Sequence, residues 1–304
     1  MNRRLSYHPP IAALLLALSA QAGAGPDAFI DLDISAGLDD NVTRAQANRD
    51  IEHDSFLSAT GTYSQPLWRD RSGFANFSGG MTAQQWNEFD GLNNISLRLN
   101  VDYVYAPDPS FGAPWFAISA GYTLQEFDSF LRDSDIYTLG GNLGFQIDDI
   151  TNFRSGLTFK LRESDGVAFD TQDVSLFVNI DWSLERAGIE FLRHTTFYTT
   201  YKVQLGDVFS TASTTTAFSS GAPLWLAVAS SSVPKDQPDD VFGGIVYRLD
   251  STTHLLTLGL NFKLDLQRAW DVSVRVLSTE TDIGLEYENL AITASYFHKF
   301  GIKF

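Results

Sequence analysis

The chain contains no cysteine in 304 residues, carries little basic charge, and past its first residues has no long apolar run. Each absence excludes something. Without Cys there is no disulfide scaffold, zinc ribbon, thiol nucleophile or cysteine-linked lipid anchor. With 21 Lys and Arg against 37 Asp and Glu, the net charge is -16 and the pI near 4.5, so no nucleic-acid partner is expected. After the N-terminus the longest apolar stretch is 223–229, well short of the roughly 20 residues a membrane-spanning helix needs. A mean hydropathy of -0.09 looks like that of a soluble protein. The order of the residues points elsewhere.

The first 22 residues have the three parts of a secretory signal: Arg3 and Arg4, an apolar run over 11–18, and small residues at Ala20, Ala22, Gly23 and Ala24. Cleavage after Ala22 leaves 19 basic against 37 acidic side chains, or -18, in a mature domain of residues 23–304. Along that domain, segments of about ten residues alternate apolar with polar. The clearest is Asn94–Tyr105, with Ile95, Leu97, Leu99, Val101, Tyr103 and Tyr105 on one face and Ser96, Arg98, Asn100 and Asp102 on the other. Segments 29–38, 153–162, 174–182, 254–265 and 270–276 follow the same rule; 55–67, 73–86, 115–126, 137–147, 189–205 and 287–304 follow it less regularly. The twelve predict an all-β, antiparallel transmembrane barrel, an even number that returns the chain to its starting side. The long connection 206–253 has strand-like pieces of its own, so fourteen strands is the alternative.

Short links near 68–72, 107–113, 148–152, 183–187 and 266–269 read as periplasmic turns, and the longer, acidic ones as outer loops. Trp68, Trp115, Trp182 and Trp270 stand beside the short links, where an indole suits the membrane interface. At the C-terminus Tyr296, His298, Phe300, Ile302 and Phe304 alternate with Phe297, Lys299, Gly301 and Lys303. This ending resembles the last strand of Gram-negative outer-membrane β-barrel proteins of the porin-like class, with His298 a departure where an apolar residue is usual. The resemblance implies a bacterial outer-membrane location, contact with lipid and lipopolysaccharide, and Tyr296, Phe300 and Phe304 as the signal read by the barrel-assembly machinery.

If the apolar faces meet lipid, Arg98, Arg154, Lys160, Arg162, Lys202, Lys263, Arg275, Lys299 and Lys303 face the lumen, against Asp102, Asp181, Glu190 and Asp265. A basic interior favours anions, so a small channel for small or anionic solutes is expected. A closed structural or receptor barrel, its charges paired across the lumen, is the alternative. Acidic loop residues such as Asp39, Asp40, Asp50, Glu126, Asp128, Asp133, Asp239 and Asp240 are placed to share divalent cations with lipopolysaccharide, but match no calcium-loop spacing, and no metal or cofactor is expected. His53-Asp54-Ser55 puts a base and a hydroxyl two residues apart on one strand face, outward with Leu57, Ala59 and Tyr63. It resembles the lipid-facing pair of outer-membrane phospholipase A and lipid A deacylase, implying an acyl-ester hydrolase as a further alternative. Phe56-Leu57 stands where the phospholipase has Asn-Gly, and the favoured reading is a polar loop end with no catalysis. Arg193 falls on the apolar face of segment 189–205, requiring snorkelling or a bulge, and His194 reads as a lumen polar group.

Overall fold

A computed structural model describes residues 28–108, 110–187, 192–214, 216 and 238–302. The expected signal 1–22 and the terminal Phe304 lie outside the described residues. Twelve strands form one closed antiparallel barrel: β1 (Ala28–Asp39), β2 (Asp54–Arg69), β3 (Gly73–Trp86), β4 (Asn94–Tyr105), β5 (Trp115–Phe127), β6 (Ser134–Asp148), β7 (Thr151–Ser164), β8 (Thr171–Ser183), β9 (Thr195–Ala212), β10 (Ile245–Lys263), β11 (Arg268–Thr281) and β12 (Glu286–Ile302). Each strand pairs with its sequence neighbours, and β1 closes on β12 from Ala28↔Ile302 to Asp39↔Ala291. Closure pairs every strand on both sides, as a β-structure in hydrocarbon requires.

The faces follow the alternation. Ile118 and Leu139, 63% and 61% exposed in the isolated chain, belong to an apolar outer belt with Leu57, Met81, Leu176 and Val274. On the opposite face small polar side chains are buried, among them Ser35, Ser175, Asn179, Thr253, Thr279 and Ser295. Apolar outside and polar inside suit a wall between lipid and water.

The two ends differ. One carries short turns built on carboxylates: Asp70 accepts the Ser72 and Gly73 N–H groups (2.8 and 2.8 Å), Asp108 that of Ser110 (2.8 Å), and Asp265 those of Gln267 and Arg268 (2.8 and 2.8 Å). At the other end three loops repeat one device. Single 3₁₀ turns at Asp90–Leu92, Phe130–Arg132 and Val167–Phe169 are each followed by an Asn or Asp, and the side-chain oxygen of Asn93, Asp133 or Asp170 accepts the N–H of Trp86, Phe127 or Ser164 (2.7, 2.6 and 2.6 Å). Adjacent loops are bonded, Asp128 N to Asn93 O and Asp165 N to Asp133 O, both at 3.0 Å. The result is a stiff collar in which the third residue of each turn, Leu92, Arg132 and Phe169, is buried.

Two expectations change. The alternative of fourteen strands falls: among the described residues the connection 206–253 adds no strand to the closed barrel, and its ends lengthen β9 and β10 into a hairpin paired from Gly206↔Ser251 to Ala212↔Ile245. Segment 189–205 begins its strand only at Thr195, so Arg193 and His194 lie exposed in a turn, and neither snorkelling nor a lumen position is needed.

Candidate solute pore

The registers place the expected lumen residues one by one. Arg98 and Asp102 lie opposite Gly80 and Asn76 on one side and Thr123 and Ser119 on the other, all on the inner face. Arg154, Lys160 and Arg162 share the inner face of β7, Lys202 pairs with Phe177, Arg275 with Thr257, and Lys263 with Ala269 near the turn end. Lys160 is ion-paired to the buried Asp173, directly across the ladder, at 3.0 Å. Small neighbours around Arg98 leave a cavity of about 410 Å³ lined by Thr62, Ser78, Gly80, Asn100, Thr123 and Thr138, a polar space at mid-lumen.

The same registers add acid to the inner face: Asp31, Asp33, Asp173 and Asp271 also point inward. The added acid is unevenly spread by height, with Arg154, Lys263 and Lys299 in the turn half and Asp173 in the loop half beside it. Asp31, Asp33, Asp102, Asp181 and Asp271 lie toward the turn end, whereas Arg98, Lys160, Arg162, Lys202 and Arg275 occupy the middle and the loop half. Asp265 is in a turn, bonded to Arg268 at 2.6 Å.

Of the four tryptophans at the turn end, three face outward. Trp182 stacks on Phe197 (5.6 Å), Trp270 packs on Tyr296 (5.2 Å), and Trp68 stacks on Tyr103 (6.2 Å) after a bulge between Pro66 and Trp68 turns it to the lipid side. Trp115 is the correction. It stands an even number of residues from Ser119 and Thr123, hence on the inner face, with its indole over Gly144. Proximity to a turn had assigned it to the interface without a test of which face it occupied. In β12, Tyr296, His298 and Phe300 share the lipid face, and His298 stacks on Phe300 at 4.0 Å. His53 precedes β2 and is exposed, Ser55 lies on the outward face, and no hydrogen bond joins them among the described residues.

The described part of the β9–β10 hairpin lies against the mouth and touches all five other loops at its end. Thr211 N bonds Thr43 O (3.3 Å), Phe242 meets Phe89 edge-on (4.8 Å), Ser129 bonds Asp240 (2.6 Å), Arg248 bonds Asp170 O (2.8 Å), and Leu285 packs with Tyr247 and Leu249. Its strongest attachment is the buried pair Arg132–Asp239 at 2.9 Å, where Thr211 also donates to the Asp239 carboxylate. Burial lowers the Arg132 pKa even against the pull of Asp239. Several acidic loop side chains are spent on structure: Asp54 accepts the Glu88 and Phe89 N–H groups, and Asp133 and Asp239 act as described. Among the described residues no cluster of acidic or His side chains is arranged to hold a metal.

Under this lid lies a second chamber of about 300 Å³, lined from strands on several sides of the barrel by Asp39, Trp86, Phe127, Arg162 and Asn289, and from the loops by Arg44, Arg132, Phe169 and Phe209. The repeated collar, which puts Arg132 and Phe169 there, escaped the sequence reading. Its only signal is the Asp-x-x-x-x-Asp spacing at 128–133 and 165–170.

No protein-family model matches the chain, and no curated protein matches it in sequence. Among solved structures, an outer-membrane channel from Pseudomonas putida F1 superposes with a TM-score of 0.55 over 92% of this chain and 97% of its own, at 6% identity. The chain has the outer-membrane β-barrel fold. This barrel also aligns with the NanC porin at 8% identity and TM-score 0.46, over 88% of this chain and 100% of the porin. An anion-selective porin from Comamonas acidovorans matches the barrel at 8% identity and TM-score 0.42, over 90% and 98% of the two chains.

Proposed function

We propose that the chain is a channel of the bacterial outer membrane for small, preferentially anionic solutes, exported by cleavage of the signal 1–22 and folded with the aid of Tyr296, Phe300 and Phe304. The observation that carries this reading is the polar inner face, open at mid-lumen beside Arg98 and basic through its middle and loop half. A ring of cationic side chains lowers the electrostatic barrier for anions and raises it for cations. The hairpin lid makes the resting channel a closed one, released when Arg132 and Asp239 part. That lid also favours a second reading, a permanently closed structural or receptor barrel. Current through planar bilayers separates them: stepwise, anion-preferring conductance supports the channel, and silence even after the lid is loosened supports the closed barrel. A catalytic role for Ser55 is the third reading. It predicts acyl-ester hydrolysis that Ser55→Ala abolishes.

A further inference from the structure

The chamber beneath the lid holds more positive charge than its own carboxylates balance. Arg162 donates from Nε to Ser134 Oγ (3.0 Å) and from Nη2 to Gln125 Oε1 (2.8 Å), both neutral acceptors, and among the described residues no carboxylate lies within ion-pair distance of it. Arg132 uses Nη2 for Asp239, while its buried Nε has no partner among the described residues. The one acid in the chamber wall, Asp39, is taken up by the Asn41 N–H (3.0 Å) and the Asn289 amide. A half-buried guanidinium that meets only neutral acceptors is left with uncompensated charge that an anion would complete.

The apolar half of the wall says what kind of anion. Arg132 lies over the Phe169 ring at 4.3 Å, Arg44 over Phe209 at 5.2 Å and Arg162 over Phe127 at 5.9 Å. A guanidinium stacked on a ring keeps its N–H donors in its own plane, free to fork a carboxylate. The half-buried rings of Phe127 and Phe209, with Trp86 beside them, offer an apolar surface that an inorganic anion would leave uncovered. At about 300 Å³ the chamber is at the small end of ligand pockets.

We propose that this chamber binds a small aromatic carboxylate, its carboxylate met by the spare donors of Arg162 in the field of Arg44 and Arg132, its ring lying between Phe127 and Phe209. The site deepens the channel reading and rests on it for its purpose, as the last station a solute occupies before the lid. Isothermal titration of the purified, folded barrel with benzoate, benzyl alcohol and acetate tests it. Benzoate gives saturable heat, whereas benzyl alcohol, lacking the charge, and acetate, lacking the ring, bind about tenfold or more weakly. Arg162→Gln weakens benzoate about ten- to a hundredfold, the range expected for a charge-assisted bond. Phe209→Leu weakens it as well and serves if Arg162→Gln does not fold, folding being read from heat-dependent gel migration. No saturable benzoate heat, acetate binding as well as benzoate, or a folded Arg162→Gln that keeps full affinity overturns the proposal. Conductance of the same preparation in KCl keeps the two ideas apart: current without benzoate binding removes the site and leaves the channel, and benzoate binding without current does the reverse.

Discussion

Replacing Asp239 by Ala removes the carboxylate that holds the lid to the collar. In the closed state its side chain is fully buried, 0% exposed against 7% for Arg132, and it accepts from Arg132, from Thr211 and from the Val241 N–H at 3.0 Å. Its loss leaves a charged guanidinium and a hydroxyl without acceptors in a place water does not reach. Removing one member of a buried ion pair costs about 3–5 kcal/mol. Arg132 escapes that cost only if the hairpin lifts and admits water, so the penalty falls on the closed state. At about 1.4 kcal/mol per factor of ten, the closed-to-open ratio drops roughly 150- to 5,000-fold. Single-channel recording reads this as open probability. The double variant Arg132→Met, Asp239→Leu removes both charges and refills the space with apolar atoms, so it is predicted to close nearly as well as the wild type. An Asp239→Ala channel that stays shut as long as the wild type, or a double variant as open as the single one, refutes the latch.

Three further outcomes follow from the same geometry. Ile118→Arg puts a charge into the lipid belt and lowers stability in bilayers by about 2–4 kcal/mol, while its neighbour Ser119→Arg, pointing at the lumen opposite Asp102, costs under about 1 kcal/mol; denaturant titration in vesicles compares them. Gly206 sits at φ +138° where a Cβ would lie 2.2 Å from the Gln172 carbonyl oxygen, so Gly206→Ala strains the base of the lid by about 1–3 kcal/mol, seen as faster proteolysis of the hairpin. The Asp133 carboxyl is pushed up from 3.8 by burial, with Asp165 and Glu126 adding to the rise against the Phe127 N–H bond. The folded state therefore holds that proton more tightly than the unfolded one, and stability is lost as pH rises through the raised value. Asp133→Asn, which keeps the acceptor as Asn93 does in its own loop, should flatten that pH dependence, whereas Asp133→Ala flattens it as well but is less stable than Asp133→Asn by about 0.5–1.5 kcal/mol.

Much of the wall was legible in the sequence because one physical rule, lipid on one face and water on the other, acts on every second residue. Asn94–Tyr105 and Gly73–Trp86 were read with the bounds they have in the barrel. The rule fails where both faces of a strand meet protein. In the lid hairpin, Phe209 and Val246 pack against Ala168 and Phe169 while Tyr247 and Leu249 pack against Leu285, so the strand-like pieces there could not be told from a further pair of membrane strands. It fails again at Trp68, where a bulge moves one residue to the other face, and at Trp115, where position along the strand was known but its face was not. The charges of the site were visible singly. That Arg44, Arg132 and Arg162 share one chamber depends on three loops meeting above the lumen, which spacing along the chain does not encode.

The sign of the current tests the anion channel most directly. Across a tenfold KCl gradient, the barrel in planar bilayers should give discrete steps whose reversal potential lies on the chloride side, moving toward zero when Arg98 and Lys160 are neutralised. A reversal potential on the potassium side, or no steps from either the wild type or Asp239→Ala, would contradict it.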